Sequence, residues 1–111
     1  MSFANTPPAP YYACIFTSRR KPGDNGYNDA NVLMLERVRN MPGFLGVESA
    51  RNAEGFGITV SYWANLEAMQ RWKADAEHRL MQQQGPRWYE NYQVRIAKVE
   101  REYGLNPPAS E

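Results

Sequence analysis

The sequence predicts an α+β fold with the element order β-α-β-β-α-β. Three observations carry that prediction. Four short segments rich in β-forming residues read as strands, two longer ones place apolar residues three and four apart, and breaker residues stand at the junctions. The chain of 111 residues suits one domain. A domain of that size buries roughly two-thirds of its extended surface, so disulfide or metal staples are unnecessary.

Residues 1–9 carry Pro7 and Pro8 among small polar residues and read as a disordered or extended arm ahead of a domain spanning 10–103. Tyr11 to Ser18 is a short β-rich run and forms the first strand, followed by a loop from Arg19 to Gly26. Between Asn28 and Met41, the residues Ala30, Leu33, Met34, Val38 and Met41 recur at helical spacing. Pro42-Gly43 ends that helix, Pro because it lacks a donor and Gly because it tolerates the turn. Phe44 to Ala50 is the second strand, with Phe44, Gly46, Glu48 and Ala50 on one face and Leu45, Val47 and Ser49 on the other.

Arg51 to Gly55 supplies turn residues, and Phe56 to Trp63 alternates Ile58, Val60 and Tyr62 against Thr59, Ser61 and Trp63. An antiparallel hairpin is the economical arrangement of these two strands. Asn65 is placed to cap a second helix running to about Gln84, before Gly85-Pro86. With Trp72 as zero and about 100° per residue, Gln83, Ala76, Met69, Leu80 and Leu66 form one stripe between about 20° and 120°. Arg87 to Asn91 turns back. Tyr92 to about Tyr103 is the last strand, with Tyr92, Val94 and Ile96 alternating against Gln93, Arg95, Ala97 and Val99, and 104–111 is a tail.

Two crossover helices on one face of a four-stranded antiparallel sheet give the ferredoxin-like arrangement. The other face then needs a partner protomer or solvent. A homodimer is expected, with a last strand long enough to reach outside its own sheet.

Thirteen Lys and Arg against twelve Asp and Glu leave no field that recruits nucleic acid or an anionic membrane surface. No run approaches the length of a membrane span, and no basic start or apolar h-region marks a signal peptide. One cysteine excludes an internal disulfide and fits the cytoplasm; one histidine excludes a multi-histidine metal site within a protomer, so no metal or cofactor is expected. Aromatic residues reach 13%, which suits a pocket or an interface as well as ordinary packing.

Trp72 lies on the inward stripe and reads as a core residue or as the flat wall of a cavity. Trp63, and Trp88 with Tyr89, are weaker candidates, and the last two suit a packing clamp. His78 is the ready proton carrier near neutrality, yet at about 240° on the same wheel it points away from the stripe. A functional role for it requires a helix break or a partner chain. Cys14 lacks a visible base and reads as a buried structural thiol. Arg19-Arg20-Lys21 reads as a solvated loop. Arg95 in a strand wants a partner, either a carboxylate across a dimer or a ligand carboxylate. No phosphate loop, nucleophile elbow or metal-ligand spacing is present.

Met41-Pro42-Gly43-Phe44-Leu45-Gly46-Val47-Glu48 and Ser61-Tyr62-Trp63-Ala64-Asn65-Leu66-Glu67-Ala68-Met69-Gln70-Arg71-Trp72 resemble the helix-to-strand and strand-to-helix junctions of the antibiotic biosynthesis monooxygenase (ABM) domain. The resemblance covers about residues 10–103, and the segments after His78 are similar to a bacterial subgroup of uncharacterised monooxygenase-like proteins. It implies a homodimer whose sheets pack as a dimeric α/β barrel. It also implies one of three functions: cofactor-independent oxidation of a small aromatic or polyketide-like substrate by molecular oxygen, haem binding and degradation, or a non-enzymatic small-molecule-binding or structural dimer.

Trp72 matches the pocket tryptophan of the family, and His78 falls where the cofactor-free branch places a polar aromatic. The haem branch has an asparagine on the first strand, where this chain has Ile15, Phe16 and Thr17, and an axial histidine where it has Met81 and Gln82. The cofactor-free reading makes Trp72, His78 and Arg95 the catalytic set. Trp63, Phe16, Met34, Met69 and Tyr92 are then the residues expected to contact the substrate. A roomy pocket with a polar group aimed into it favours the enzyme; an interior packed solid by Trp72, Phe16 and Met34 favours the structural reading.

Overall fold

The computed structural model describes residues 2–75 and 83–105. Its elements run β1 (Tyr11–Arg20), α1 (Tyr27–Arg39), β2 (Phe44–Arg51), β3 (Phe56–Trp63), α2 (Leu66–Ala74) and β4 (Tyr89–Val99). Residues 83–88 are helical immediately ahead of β4. The four strands pair antiparallel in the order β2-β3-β1-β4, the ferredoxin-like topology.

The sheet is open and not closed into a barrel, which corrects the α/β barrel expected from sequence. β2 and β4 are its edges, and they do not pair with each other. Closing a sheet around a filled interior takes about eight strands. With four, the interior is supplied by helices laid on one face. Nor does the last strand overhang: β4 starts at Tyr89 rather than Tyr92 and ends at Val99, opposite Tyr11, so it is paired with β1 over its length.

β1 sits between β3 and β4, and its alternation decides what each face carries. Tyr12, Cys14 and Phe16 stand opposite Trp63, Ser61 and Thr59 of β3 on the helix-bearing face. Cys14 and Phe16 stand opposite Ile96 and Val94 of β4 on that same face. The alternation expected for β2 breaks at its start, because a bulge between Phe44 and Gly46 pairs those residues with Trp63 and Tyr62 and leaves Leu45 as the extra one. Phe44 and Val47 therefore both turn toward the helices.

The core under α1 and α2 consists of Val38, Trp63, Ala68, Met69 and Trp72, with Tyr12, Met34 and Phe44 packed against it. Trp63 is 0% exposed, meets the Phe44 ring edge-on at 5.4 Å and stacks on Trp72 at 6.5 Å between centroids. Burying a large apolar side chain contributes about 1.5–3 kcal/mol, so this cluster is the main attachment of α2 to the sheet.

Asn65 caps α2 as the sequence indicates, its side-chain oxygen accepting from the Ala68 N–H at 2.8 Å. The helix then stops ten residues short of the expected Gln84. Asp75 is extended at φ −63° and ψ 138°, and its carboxylate pairs with Arg37 of α1 at 3.1 Å. That ion pair ties the end of α2 to α1.

On the face away from the helices, the segment before β1 is hydrogen-bonded to the sheet. The Ala4 N–H donates to Glu48 at 2.9 Å, and the Tyr62 hydroxyl donates to the other Glu48 oxygen at 2.7 Å. Thr6 donates to the Tyr11 hydroxyl, which donates to Glu102 at 2.9 Å. Gly46 is required here, since a Cβ on it would lie 2.8 Å from the Ala4 methyl. No helix among the described residues is long and apolar enough to cross a membrane.

Candidate functional site

Between the helix-bearing sheet face and the two helices lies a cavity of about 230 Å³. Trp72 and Met69 reach it from α2, Met34 and Tyr27 from α1, Phe16 from β1 and Tyr92 from β4. Its lining is largely apolar and includes several aromatic rings. Phe16 lies 5.3 Å from Tyr92 and 5.4 Å from Tyr89, and Tyr89 meets Tyr27 edge-on at 5.8 Å. Such rings offer flat apolar faces to a planar guest.

Five of the residues expected at the site are thus brought together: Trp72, Phe16, Met34, Met69 and Tyr92. Trp63 stands behind them rather than among them. It is fully buried under Trp72, and its indole N–H donates to the Ser61 hydroxyl at 2.9 Å. Arg95 is not brought to the cavity. It pairs with Ile15 in register, which puts it on the opposite sheet face from Val94 and Tyr92, and its exposed guanidinium donates to Gln93 at 2.9 Å. His78, together with Met81 and Gln82, lies outside the described residues. The wheel angle that turned His78 away assumed a continuous helix, and the break at Asp75 removes that assumption.

The neighbouring candidates brace the fold. Arg20 lies over the Tyr27 ring at 3.6 Å and donates to the Trp88 carbonyl at 3.0 Å, while Lys21 donates to the Pro86 carbonyl at 2.6 Å. Trp88 is buried and its indole N–H donates to the Asn25 carbonyl at 2.9 Å. These contacts hold the start of β4 against the end of β1.

The polar groups of the cavity differ in state. Burial pushes the Cys14 thiol up, against the opposing pull of the Lys73 charge and a hydrogen bond with Ser61, so the thiol keeps its proton at neutral pH. Burial likewise raises Tyr89, aided by its hydrogen bond to the Tyr27 hydroxyl at 3.2 Å. Thr59 is engaged with Ser49 at 2.8 Å. Two groups are uncommitted: among the described residues, neither the Lys73 ammonium nor the Asn31 carboxamide has a hydrogen-bond or ion-pair partner, and both line the cavity.

Sequence reasoning missed Lys73 although its signal was present. On the wheel that identified the stripe, Lys73 stands at about 100°, inside the apolar arc. A charged residue on a buried face is the informative exception to patterning.

The comparisons with known proteins agree with this architecture. The antibiotic biosynthesis monooxygenase family model matches residues 14–84. The uncharacterised protein YqjZ of Bacillus subtilis is 46% identical over 100 residues, covering 89% of this chain and 88% of that protein. Among solved structures, SnoaB, a cofactor-independent oxygenase from Streptomyces nogalater, superposes with a TM-score of 0.73 at 9% identity, over 85% of this chain and 97% of that one. Protein SO0527 from Shewanella oneidensis does so with a TM-score of 0.71 at 15% identity, over 81% and 91%. At such identities the two structures speak for the fold alone. The family model and the Bacillus relative, which span most of the chain, establish that this protein belongs to the antibiotic biosynthesis monooxygenase family.

Proposed function

We propose that the protein is a cofactor-independent monooxygenase that oxidises a small, electron-rich hydroxy-aromatic with molecular oxygen in the cavity beside Trp72. The observation that carries this reading is the cavity itself: Trp72, Phe16 and Met34 surround a space of about 230 Å³ instead of filling it, with polar groups at its wall. That volume is below the about 300–1,000 Å³ of sites for drug-sized ligands, which favours a guest of one or two rings.

The reaction follows from the substrate's own chemistry. Loss of a phenolic proton gives an anion that passes an electron to oxygen, and the radical pair joins as a ring hydroperoxide. One oxygen atom stays as the new quinone carbonyl and the other leaves as water. The protein's share is to hold the ring between Trp72 and Phe16, exclude bulk water and stabilise the anion. His78, where the family resemblance puts a polar aromatic, is the proposed proton acceptor.

A binding protein without turnover is the second reading. It is favoured by the chemistry of the described cavity residues, which include no carboxylate and whose thiol and Tyr89 phenol hold their protons. Haem fits less well. The first strand carries Ile15, Phe16 and Thr17 where that branch has its asparagine, Phe16 lines the cavity, and a space of about 230 Å³ is small for a tetrapyrrole.

The partly exposed apolar side chains of the open face, Phe56 at 40% and Ile58 at 43%, support association with a second copy there. The single free thiol suits a reducing compartment, and the cytoplasm is the proposed location.

Incubation with a dihydroxynaphthalene in the presence of a chelator tests the enzyme reading. Oxygen uptake with equimolar quinone supports it; tight binding without oxygen uptake supports the binding protein and overturns the oxygenase. Sedimentation equilibrium tests the pairing, with a monomeric mass overturning it.

A further inference from the structure

The cavity is mostly apolar, its polar lining is otherwise uncharged (Cys14, Asn31, Thr59 and Ser61 beside the tyrosines), and Lys73 is the one charged residue among the described residues that line it. Lys73 is the last-turn lysine of α2, half-buried, directly after Trp72 in sequence, and among the described residues no carboxylate neutralises it. Half-buried lysines normally extend to water or pair. This one lines the cavity together with Cys14, whose ionisation its charge eases. A lone cation facing an aromatic cavity has a ready complement: a planar ring bearing an ionised oxygen.

We infer that Lys73 is the charge partner of the ligand's ionised oxygen, so that the cavity selects the phenolate or enolate form of a hydroxy-aromatic over its neutral form. The inference rests on the cavity being the ligand site, and deepens that reading by naming the ionic form it takes. It also answers the missing carboxylate. A site that binds the anion preferentially lowers the substrate's own pKa, so ionisation needs less help from a protein base. A charge-assisted hydrogen bond contributes about 1.5–3 kcal/mol, which corresponds to roughly tenfold or more in the preference for the anion.

The test uses 4-nitrophenol, whose phenolate absorbs visible light and whose electron-poor ring does not reduce oxygen, so the result is independent of turnover. Titrating the probe against pH with saturating protein reports the pKa of its bound form. The wild-type protein is expected to bind phenolate at least about tenfold more tightly than phenol. Lys73→Met is expected to lose that preference and Lys73→Arg to keep it. Arg71→Met, which removes an exposed charge from the same helix turn, is expected to keep it as well.

Thermal melts confirm that each variant is folded. Equal binding of both forms by the wild type, retention of the preference in Lys73→Met, its loss in Arg71→Met, or no binding of the probe would overturn the inference. Preference for the anion together with no oxygen uptake from a dihydroxynaphthalene would leave the inference standing and sink the oxygenase.

Discussion

Replacing Gly43 by alanine tests the link between the turn after α1 and the placement of Trp72. Gly43 has φ +83°, and a Cβ built there lies 2.5 Å from the methyl of Ala68, a core residue of α2. Its carbonyl also accepts from the Ala64 N–H at 2.8 Å, so the turn cannot swing away without losing that bond. A side chain in the left-handed region costs about 1–2 kcal/mol. Forcing a methyl into a packed contact costs about 1–3 kcal/mol.

The two add to roughly 2–5 kcal/mol, because strain and overlap are separate penalties. At about 4–8 °C per kcal/mol for a domain near this size, the melting temperature falls by roughly 10 °C or more. Urea unfolding measures the change, with the midpoint lowered at constant slope. The double variant Gly43→Ala with Ala68→Gly removes the overlap and leaves the backbone strain. The two sites should therefore couple by about 1–3 kcal/mol in a mutant cycle. A Gly43→Ala protein within about 0.5 kcal/mol of wild type would refute the reasoning. So would additivity in the cycle.

Two further outcomes follow from the local chemistry. Asn65→Ala removes the acceptor for the Ala68 N–H and should cost about 0.5–2 kcal/mol, whereas Asn65→Asp should cost little; equal losses in urea midpoints would contradict the cap. The second concerns alkaline pH. Burial raises Cys14, Tyr62 and Tyr89, with the Glu48 hydrogen bond assisting at Tyr62, so the folded state keeps protons that the unfolded chain releases near pH 8.5 for cysteine and about 10 for tyrosine. The unfolded state then binds fewer protons, and stability falls as pH rises through and above those values. Urea midpoints under reductant should hold up to about pH 8, decline beyond it and decline more steeply above pH 10, with a shallower fall in Tyr62→Phe; flat or rising midpoints would contradict the assignment.

The strands were legible because their side chains have one alternation to obey. Ile58, Val60 and Tyr62 do stand opposite Thr59, Ser61 and Trp63, and the hairpin to β2 follows. The bulge at Leu45 was not legible, because an extra residue leaves no trace in an apolar pattern, and it moved Phe44 to the core face. The break at Asp75 was hidden because the local sequence continues to read as helix, and the Arg37 that Asp75 pairs with at the break lies 38 positions away.

The site divides along similar lines. Trp72, Met69, Met34, Phe16 and Tyr92 could be read because apolar periodicity aims them inward. Arg95 and Tyr92 alternate along β4, and period two alone places them on opposite faces of the sheet. Lys73 stands within the apolar arc of α2 without being one of its apolar members. A charge inside that arc is the exception to the pattern, and the cavity that Lys73 lines gives the exception its meaning.

The central claim is that a planar aromatic binds beside Trp72. An indole-region proton–nitrogen correlation spectrum, titrated anaerobically with a dihydroxynaphthalene, tests it most directly, since the three tryptophans occupy three environments. The account predicts that the Trp72 indole signal shifts most, that Trp63 stacked beneath it follows weakly, and that Trp88, held to the Asn25 carbonyl, stays in place. A shift confined to Trp88, or no shift at any indole, would contradict it.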